Sequence, residues 1–394
     1  MTFNIANMLQ PEVFDHPVEN IELIETHISW VILTGDLAYK IKKPVDFGFL
    51  DFSTLKKRQR YCEQELHLNR RLAAGIYLDI VTITGTADEP RIAGSGGTLE
   101  YAVKMTQFPQ SAQLDNMLLA GQLKAEHMDA IARMVADFHH TIEVADNTVE
   151  YGDSKLVYYP VEENFTQINQ HIDTTPYSST LNHLKQWSRS VFNKREKNFT
   201  KRKQDGFIRE CHGDMHLRNM LWLDGQAMAF DCIEFNDTLR WIDVISEVAF
   251  LVMDLQDRKQ YPLANRFLNA YLEITGDYAG LSTLPFYLTY RAMVRAKVNA
   301  LRLEQKSANT EEDEQARAAF ESYLKLAATY TQQAKPQLII MRGLSASGKS
   351  TVSQQLVDSY GAIRIRSDVE RKRIFEVNPC LLYTSDAADE CPAV

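Results

Sequence analysis

The stretch that most limits what this chain can become is residues 207–236, a β-rich island inside a mostly helical region. In His212-Gly213-Asp214-Met215-His216-Leu217-Arg218-Asn219, an Asp and an Asn stand five residues apart in a loop. Two strand-like runs follow, Met220–Leu223 and Gln226–Phe230. The Asp224-Gly225 pair between them is a strong two-residue hairpin signal. The second run delivers Asp231 at its end. An isolated Asp and Asn beside a hairpin would be ordinary turn residues. Four coupled features in this order are a more specific pattern.

Loop Asp, loop Asn, hairpin and Asp is the order used by protein-kinase-like phosphotransferases. Phosphoryl transfer needs a carboxylate to orient and deprotonate the acceptor hydroxyl. It also needs hard oxygen ligands to hold Mg²⁺ against nucleotide phosphates. Asp214 is the candidate catalytic base, and Asn219 and Asp231 are the candidate metal ligands. HGDMHLRN followed by AFD resembles the catalytic loop and metal-binding strand of the aminoglycoside phosphotransferase family. The usual H-G-D-x-H-x-x-N of that family is matched at each fixed position. Where the family commonly has Asp-Phe-Gly, this chain has Asp231-Cys232-Ile233, so only the Asp carries over. The resemblance makes His212 and His216 loop supports, and Asp243 a helix-start residue that braces the catalytic loop. Cys211 and Cys232 read as small buried hydrophobes.

A kinase also needs a strand lysine and a helix glutamate that orients it. Residues 28–50 alternate and break at Thr34-Gly35-Asp36, which predicts a β-hairpin. Ala38-Tyr39-Lys40 has A-x-K spacing, and the helix predicted from Ser53/Thr54 carries Glu63 and Glu65. Lys40 and Glu65 are the chosen pair. Lys42 shares a strand face with Lys40 and competes with it, as Glu63 competes with Glu65. No G-x-G-x-x-G precedes Lys40; only Gly35 stands in the hairpin turn. Strands are expected at 78–84 and 99–106. Tyr101 to Pro109 resembles the strand and hinge against which adenine lies, through backbone groups between Met105 and Phe108.

Gly343-Leu344-Ser345-Ala346-Ser347-Gly348-Lys349-Ser350-Thr351 is a full G-x-x-x-x-G-K-[ST] phosphate loop. A strand is expected before it at Leu338–Met341 and a helix after it to Tyr360. Backbone amides between Gly343 and Thr351 would cradle phosphate, Lys349 would meet the β- and γ-phosphates, and Ser350 would ligate Mg²⁺. A second strand is expected to end at Arg364–Asp368, with Asp368 a possible acceptor-side carboxylate. Only 57 residues follow Gln337, too few for a doubly wound domain. Cys380 to Glu390 reads as a translated adapter sequence, so residues 380–394 are expected to be non-native.

The expected architecture is α+β: a two-lobed kinase-like domain over residues 1–335, then a partial α/β P-loop domain over 336–379. The N-terminal lobe would span about 20–108, and the helical lobe about 109–335, with helices from about Trp241. The order of the two domains resembles bacterial bifunctional aminoglycoside phosphotransferase/ATP-binding proteins. The resemblance implies an ATP- and Mg²⁺-dependent phosphotransferase acting on a small-molecule hydroxyl. An alternative is a nucleotide-binding regulatory protein whose P-loop domain is the main kinase. Glu234, Asp237 and Glu247 are candidates for holding a cationic acceptor. A net charge of −9 offers no basic field for nucleic acid or an anionic membrane. Five scattered cysteines and the absence of a signal-like start predict a cytoplasmic protein.

Overall fold

Alternation in Leu37-Ala38-Tyr39-Lys40-Ile41-Lys42 sends Tyr39 and Ile41 to one side of a strand and Ala38, Lys40 and Lys42 to the other. The N-terminal lobe is built around that strand. The computed structural model describes residues 3–48, 50–304, 310–332, 335–344 and 347–375. Six antiparallel strands form one sheet: β1 (Glu22–Glu25), β2 (Ser29–Leu33), β3 (Leu37–Lys42), β4 (Tyr77–Gly85), β5 (Pro90–Ile92) and β6 (Thr98–Thr106). Their order is β1-β2-β3-β6-β4-β5. The predicted hairpin is β2–β3, in register Ser29 to Lys42, and its second strand stops at Lys42.

Tyr39 and Ile41 pack under the N-terminal residues Met8, Val13 and Phe14. The opposite face is covered by α1 (Leu55–Ala73), whose start is capped where Thr54 Oγ1 accepts from the Lys57 amide. Cys62, Ala73, Val103 and Met105 fill that second layer. It runs on into Leu221 of the hairpin that carries Asp231.

The helical lobe comprises α2 (Leu114–Leu119), α3 (Ala125–Thr141), α4 (Ser154–His171), α5 (Ser178–Gln204), α6 (Asp237–Arg240), α7 (Val244–Asp257), α8 (Tyr261–Thr275), α9 (Leu284–Glu304) and α10 (Thr310–Tyr330). Two small ladders interrupt it: β7 (Ile208–Glu210) with β10 (Trp241–Asp243), and β8 (Met220–Leu223) with β9 (Gln226–Ala229). The helix expected from Trp241 therefore begins at Val244, because residues 241–243 pair with 208–210 first. Asp224 and Gly225 both have positive φ, 51° and 75°, as the predicted two-residue turn requires. Among the described residues no helix is long and apolar enough to cross a membrane.

After the kinase-like lobes come α11 (Lys349–Tyr360) and α12 (Ser367–Ile374). The helix expected after the phosphate loop is present, but the two flanking strands are not. Residues 338–341 have no ladder partner among the described residues, and Leu338 and Ile340 are 87% and 73% exposed. Residues 361–366 lack regular structure, and Ser367 starts a helix. A parallel strand is stable only when paired and covered, and no such neighbour stands among the described residues. Residues 380–394 lie outside the described part.

The start of α7 is the anchor of the helical lobe beneath the catalytic loop. Asp243 caps it by accepting from the Ile245 amide at 3.0 Å. It also takes a bidentate pair from Arg202 of α5, at 2.7 and 2.8 Å. Arg202 meets Asp277 as well, and all three side chains are almost completely buried. Asp243→Ala should destabilise the protein by about 3–5 kcal/mol, because it strands part of a buried guanidinium charge. Urea unfolding measures this, and a loss below about 1 kcal/mol would contradict the role given to the cap.

Candidate active site

Strand periodicity and helix periodicity meet at Glu65. Lys40 and Lys42 leave β3 on the α1 side, and Glu65 points down from α1 between them. Lys40 Nζ lies 2.7 Å from Glu65 Oε1, and Lys42 Nζ lies 2.7 Å from Glu65 Oε2. Both lysines thus pair with the same fully buried carboxylate. What separates them is the second partner. Lys40 reaches Asp231 Oδ1 at 2.5 Å, whereas Lys42 pairs with Glu234. Glu63 lies at the surface, within reach of Gln59. Burial alone would raise the Glu65 pKa, but Lys40 and Lys42 outweigh it and hold it at about 2. For Lys40, burial opposes the charge, and Asp231 and Glu65 overcome it to push the pKa up.

Asp231 has φ of +62°, an uncommon conformation for a non-glycine residue. Its amide donates to the Tyr77 hydroxyl at 3.1 Å, and the next amide, of Cys232, donates to Asn69 Oδ1 at 2.8 Å. Strained backbone of this kind persists where its surroundings over-determine it, commonly at functional sites. Tyr77 and Asn69 are supports that the sequence reading missed. The spacing Glu65–Asn69, one helical turn on the same face, was the available signal.

The catalytic loop is held from several sides. His212 bonds the Phe230 carbonyl through Nε2 at 2.9 Å, and its Nδ1 accepts from the Asp214 amide at 3.3 Å. Burial keeps its pKa below the ordinary histidine value, which suits a neutral ring with one donor and one acceptor. Gly213 has φ of +87°, and a Cβ there would lie 2.8 Å from the Leu239 carbonyl oxygen. Its amide donates to Glu247 Oε1 at 2.6 Å, its carbonyl accepts from Arg291 at 3.0 Å, and the Leu217 amide donates to Asp254 Oδ2 at 3.0 Å.

These contacts revise four expectations. Glu247 is completely buried and holds the catalytic loop, so it is not free for an acceptor. Glu234 is buried against Lys42, and Asp237 pairs with Arg240 at 2.6 Å. Asp243 does not grip the loop itself; it caps the helix that carries Glu247 and Asp254. Two acids seven residues apart in the run 244–255, apolar apart from them and Ser246, were the sequence signal for that role, since a buried acid needs a donor.

Asp214 and Asn219 face the cleft together. Asn219 Nδ2 donates to Asp214 Oδ2 at 2.9 Å, which leaves its amide oxygen as a hard ligand. His216 Nε2 stands 3.4 Å from the same carboxylate oxygen. Burial opposes ionisation of Asp214, but His216, Arg295 and His212 prevail and hold its pKa below the usual carboxylate range. Asp214 and Asp231 remain about one-third and one-half exposed, at 34% and 46%. Oxygen donors from Asn219 and Asp231, with exposed carboxylate to spare, fit a hard divalent cation.

At the hinge, the Met105 backbone lies inside the sheet between Ala38 and Tyr77. The Thr106 and Gln107 amides donate to Ile76 and Asp36 carbonyls, at 2.8 and 2.9 Å. Phe108 is the first residue of this stretch whose amide makes no hydrogen bond among the described residues. Its ring packs edge-on against Phe230, 5.2 Å between centroids. Gly35 is not over the cleft; its amide is clipped to the Gln107 side chain at 3.0 Å.

In the phosphate loop, Gly348 (φ +83°) precedes α11, and Ser350 and Thr351 lie in its first turn. Ser345 and Ala346 lie outside the described residues. Lys349 Nζ donates to the carbonyls of Gly343 and Leu344, at 2.7 and 2.5 Å. Asp368 pairs with Arg366 at 2.8 Å. This segment leans on α8, where Asn269 Nδ2 donates to the Ala362 carbonyl at 3.1 Å and the Arg364 amide donates to Asn269 Oδ1 at 2.7 Å.

Lys40→Ala and Glu65→Ala should each weaken ATP use, and the double variant should lose less than the sum of the two. Lys42→Ala should chiefly lower stability, because it leaves Glu234 buried without its cation. Steady-state kinetics and urea unfolding separate the two lysines, and full additivity of Lys40 and Glu65 would contradict the pairing. Because the Glu65 pKa is depressed from 4.5 to about 2, its stabilisation is complete above pH 4.5 and lost as pH falls toward 2.

The chain matches the phosphotransferase enzyme family over residues 115–284 and an AAA domain over residues 338–394. It is 33% identical over 362 residues to the uncharacterized protein Rv2004c of Mycobacterium tuberculosis, covering 91% of this chain and 70% of that one. The uncharacterized protein Mb2027c of Mycobacterium bovis matches to the same extent. Among solved structures, a choline kinase from Cryptosporidium parvum is 13% identical, with TM-score 0.47 over 79% of this chain and 89% of that one. An ethanolamine kinase from Plasmodium vivax is 9% identical, with TM-score 0.46 over 77% of this chain and 81% of that one. The chain belongs to the family of these mycobacterial proteins, and in this chain the phosphotransferase-family match precedes the AAA-domain match that holds the P-loop segment.

Proposed function

We propose that residues 1–335 transfer the γ-phosphoryl group of ATP to a hydroxyl of a small molecule. The observation that carries this is the convergence of Lys40–Glu65–Asp231 from one side of the cleft and Asp214–Asn219 from the other. Lys40 would hold the α- and β-phosphates, with Glu65 keeping it aimed. Asn219 and Asp231 would hold Mg²⁺, which supplies positive charge against the nucleotide phosphates when bound. Asp214 would orient the acceptor hydroxyl and take its proton as the oxygen bonds to the γ-phosphorus. Phe108 and Phe230 offer an apolar wall for adenine, with the Phe108 amide as a donor at the hinge.

Asp214→Asn should cut transfer by about 10²–10⁴-fold with ATP affinity preserved. Asp231→Ala should instead weaken Mg-ATP binding. Calorimetric titration with Mg-ATP and a coupled ADP assay measure both. Wild-type ATP affinity in the Asp231 variant would contradict the assignment.

Gly343 to Thr351 is, on this reading, a second phosphate-binding loop, with Gly348, Ser350 and Thr351 at the N-terminus of α11. Its lysine rests on the loop's own carbonyls, and no strand ladder backs it among the described residues. Lys349→Ala should therefore leave acceptor-dependent ADP release within about twofold of wild type, roughly 0.4 kcal/mol. Loss of most activity would show that this loop takes part in turnover.

A further inference from the structure

Glu247 holds the Gly213 amide with only one of its two oxygens. The terminal torsion of a glutamate is broad and roughly two-fold, so that single bond leaves the carboxylate free to turn. Its second oxygen, Oε2, lies 3.0 Å from Nε2 of His139, in the last turn of α3. The proposed transfer makes no use of this histidine. The next residue, His140, is exposed, whereas His139 and Glu247 are both buried.

Chemistry sets the direction of these bonds. Burial opposes ionisation of Glu247, but His139, His212 and the Gly213 amide outweigh it and hold its pKa below the ordinary glutamate value. An ionised carboxylate can only accept, so His139 Nε2 carries a proton and donates. Nδ1 lies 2.9 Å from the Tyr271 hydroxyl of α8, and the Tyr271 ring stands edge-on to the imidazole, 5.6 Å between centroids. In the neutral ring the tyrosine O–H donates to Nδ1, so both ring nitrogens are committed. The His139 carbonyl accepts from Arg209 of β7, which ties the residue to a third element.

His139, Cys211 and Glu247 bring potential metal ligands within 4.8 Å of one another. Each already has its partners, the Cys211 thiol included, which donates to the Ile242 carbonyl at 3.7 Å. The cluster is a hydrogen-bonded chain rather than a metal centre.

Building on the phosphotransferase reading, we propose that His139 is a positioning residue for Asp214, acting through Glu247. Its Nε2–H stops the Glu247 carboxylate from turning. Glu247 then fixes the peptide plane that ends in the Gly213 amide, and Arg291 fixes the next plane through the Gly213 carbonyl. Asp214 leaves the backbone from that second plane. Leu217 is anchored separately on Asp254, so loss of the His139 donor loosens the Asp214 end of the loop and spares the Asn219 end.

Gly213 can be followed by itself in the full chain, because His212 is the only histidine that precedes a glycine. Labelling with ¹⁵N-glycine and carbonyl-¹³C histidine isolates its amide for NMR, and its hydrogen-exchange rate reports the Glu247 bond. A glutamine carries its NH₂ near the position of histidine Nε2, and an asparagine carries its own near Nδ1. His139→Gln should therefore exchange within about twofold of wild type, and His139→Asn and His139→Phe at least about tenfold faster, as loss of a hydrogen bond to a charged group implies. His140→Gln should match wild type. A residue that only filled space would give the opposite order, with Phe tolerated best. If the Phe variant does not fold, the comparison of Gln with Asn decides. Calorimetry with Mg-ADP should find the affinity of the Gln and Asn variants within about twofold of wild type, since the Asn219 end is anchored apart. Equal exchange in the Gln and Asn variants, or Mg-ADP affinity that falls in step with faster exchange, would overturn the proposal. Asp214→Asn in the coupled ADP assay tests the reading beneath it. Transfer that survives that change would overturn the phosphotransferase reading, whereas the Gly213 result bears on His139 alone.

Discussion

One buried carboxylate organises the cleft. Glu65 sits with no exposed surface between two lysines of one strand, and each lysine extends to an acid on the far side of the hairpin, Asp231 or Glu234. Removing Lys42 would leave Glu234 buried without its cation, where desolvation is expensive. The lobes are therefore joined by a chain of alternating charges as well as by apolar contacts, and that chain fixes where Lys40 and Asp231 stand relative to one another.

A second set of constraints fixes Asp214. The amides of Gly213 and Leu217 would be costly to bury unpaired, and α7 supplies an acceptor for each through Glu247 and Asp254. The helix itself is anchored at its start by Asp243 and Arg202. The position of the loop over residues 212–219 thus depends on an ion pair that lies outside it. The phosphate loop has no comparable framework among the described residues. Its helix is docked on α8, while Leu338 and Ile340 remain exposed.

Much of this was legible in the sequence because it rests on local pattern. Alternation placed Lys40 on its strand, the Asp224-Gly225 turn placed Asp231, and the loop spacing placed Asp214 beside Asn219. What local pattern could not show was which acids face the cleft. Glu234 and Glu247 look like surface charges in one dimension. In three dimensions they are buried partners of Lys42 and of the Gly213 amide. Only the A-x-K spacing favoured Lys40 over Lys42 in the sequence, since both share a face, and both pair with Glu65. What separates them in the fold is Asp231, 191 residues away from Lys40. The strand expected before Gly343 depends wholly on neighbouring strands, so its apolar composition was no guide to its state here.

A crystal structure of the full chain with Mg²⁺ and a non-hydrolysable ATP analogue tests the central claim most directly. The account predicts nucleotide in the cleft between the lobes, with the metal on Asn219 Oδ1 and the Asp231 carboxylate and with Lys40 at the α- and β-phosphates. A structure in which nucleotide occupies only the loop from Gly343 to Thr351, with Asn219 and Asp231 free of metal, would contradict it.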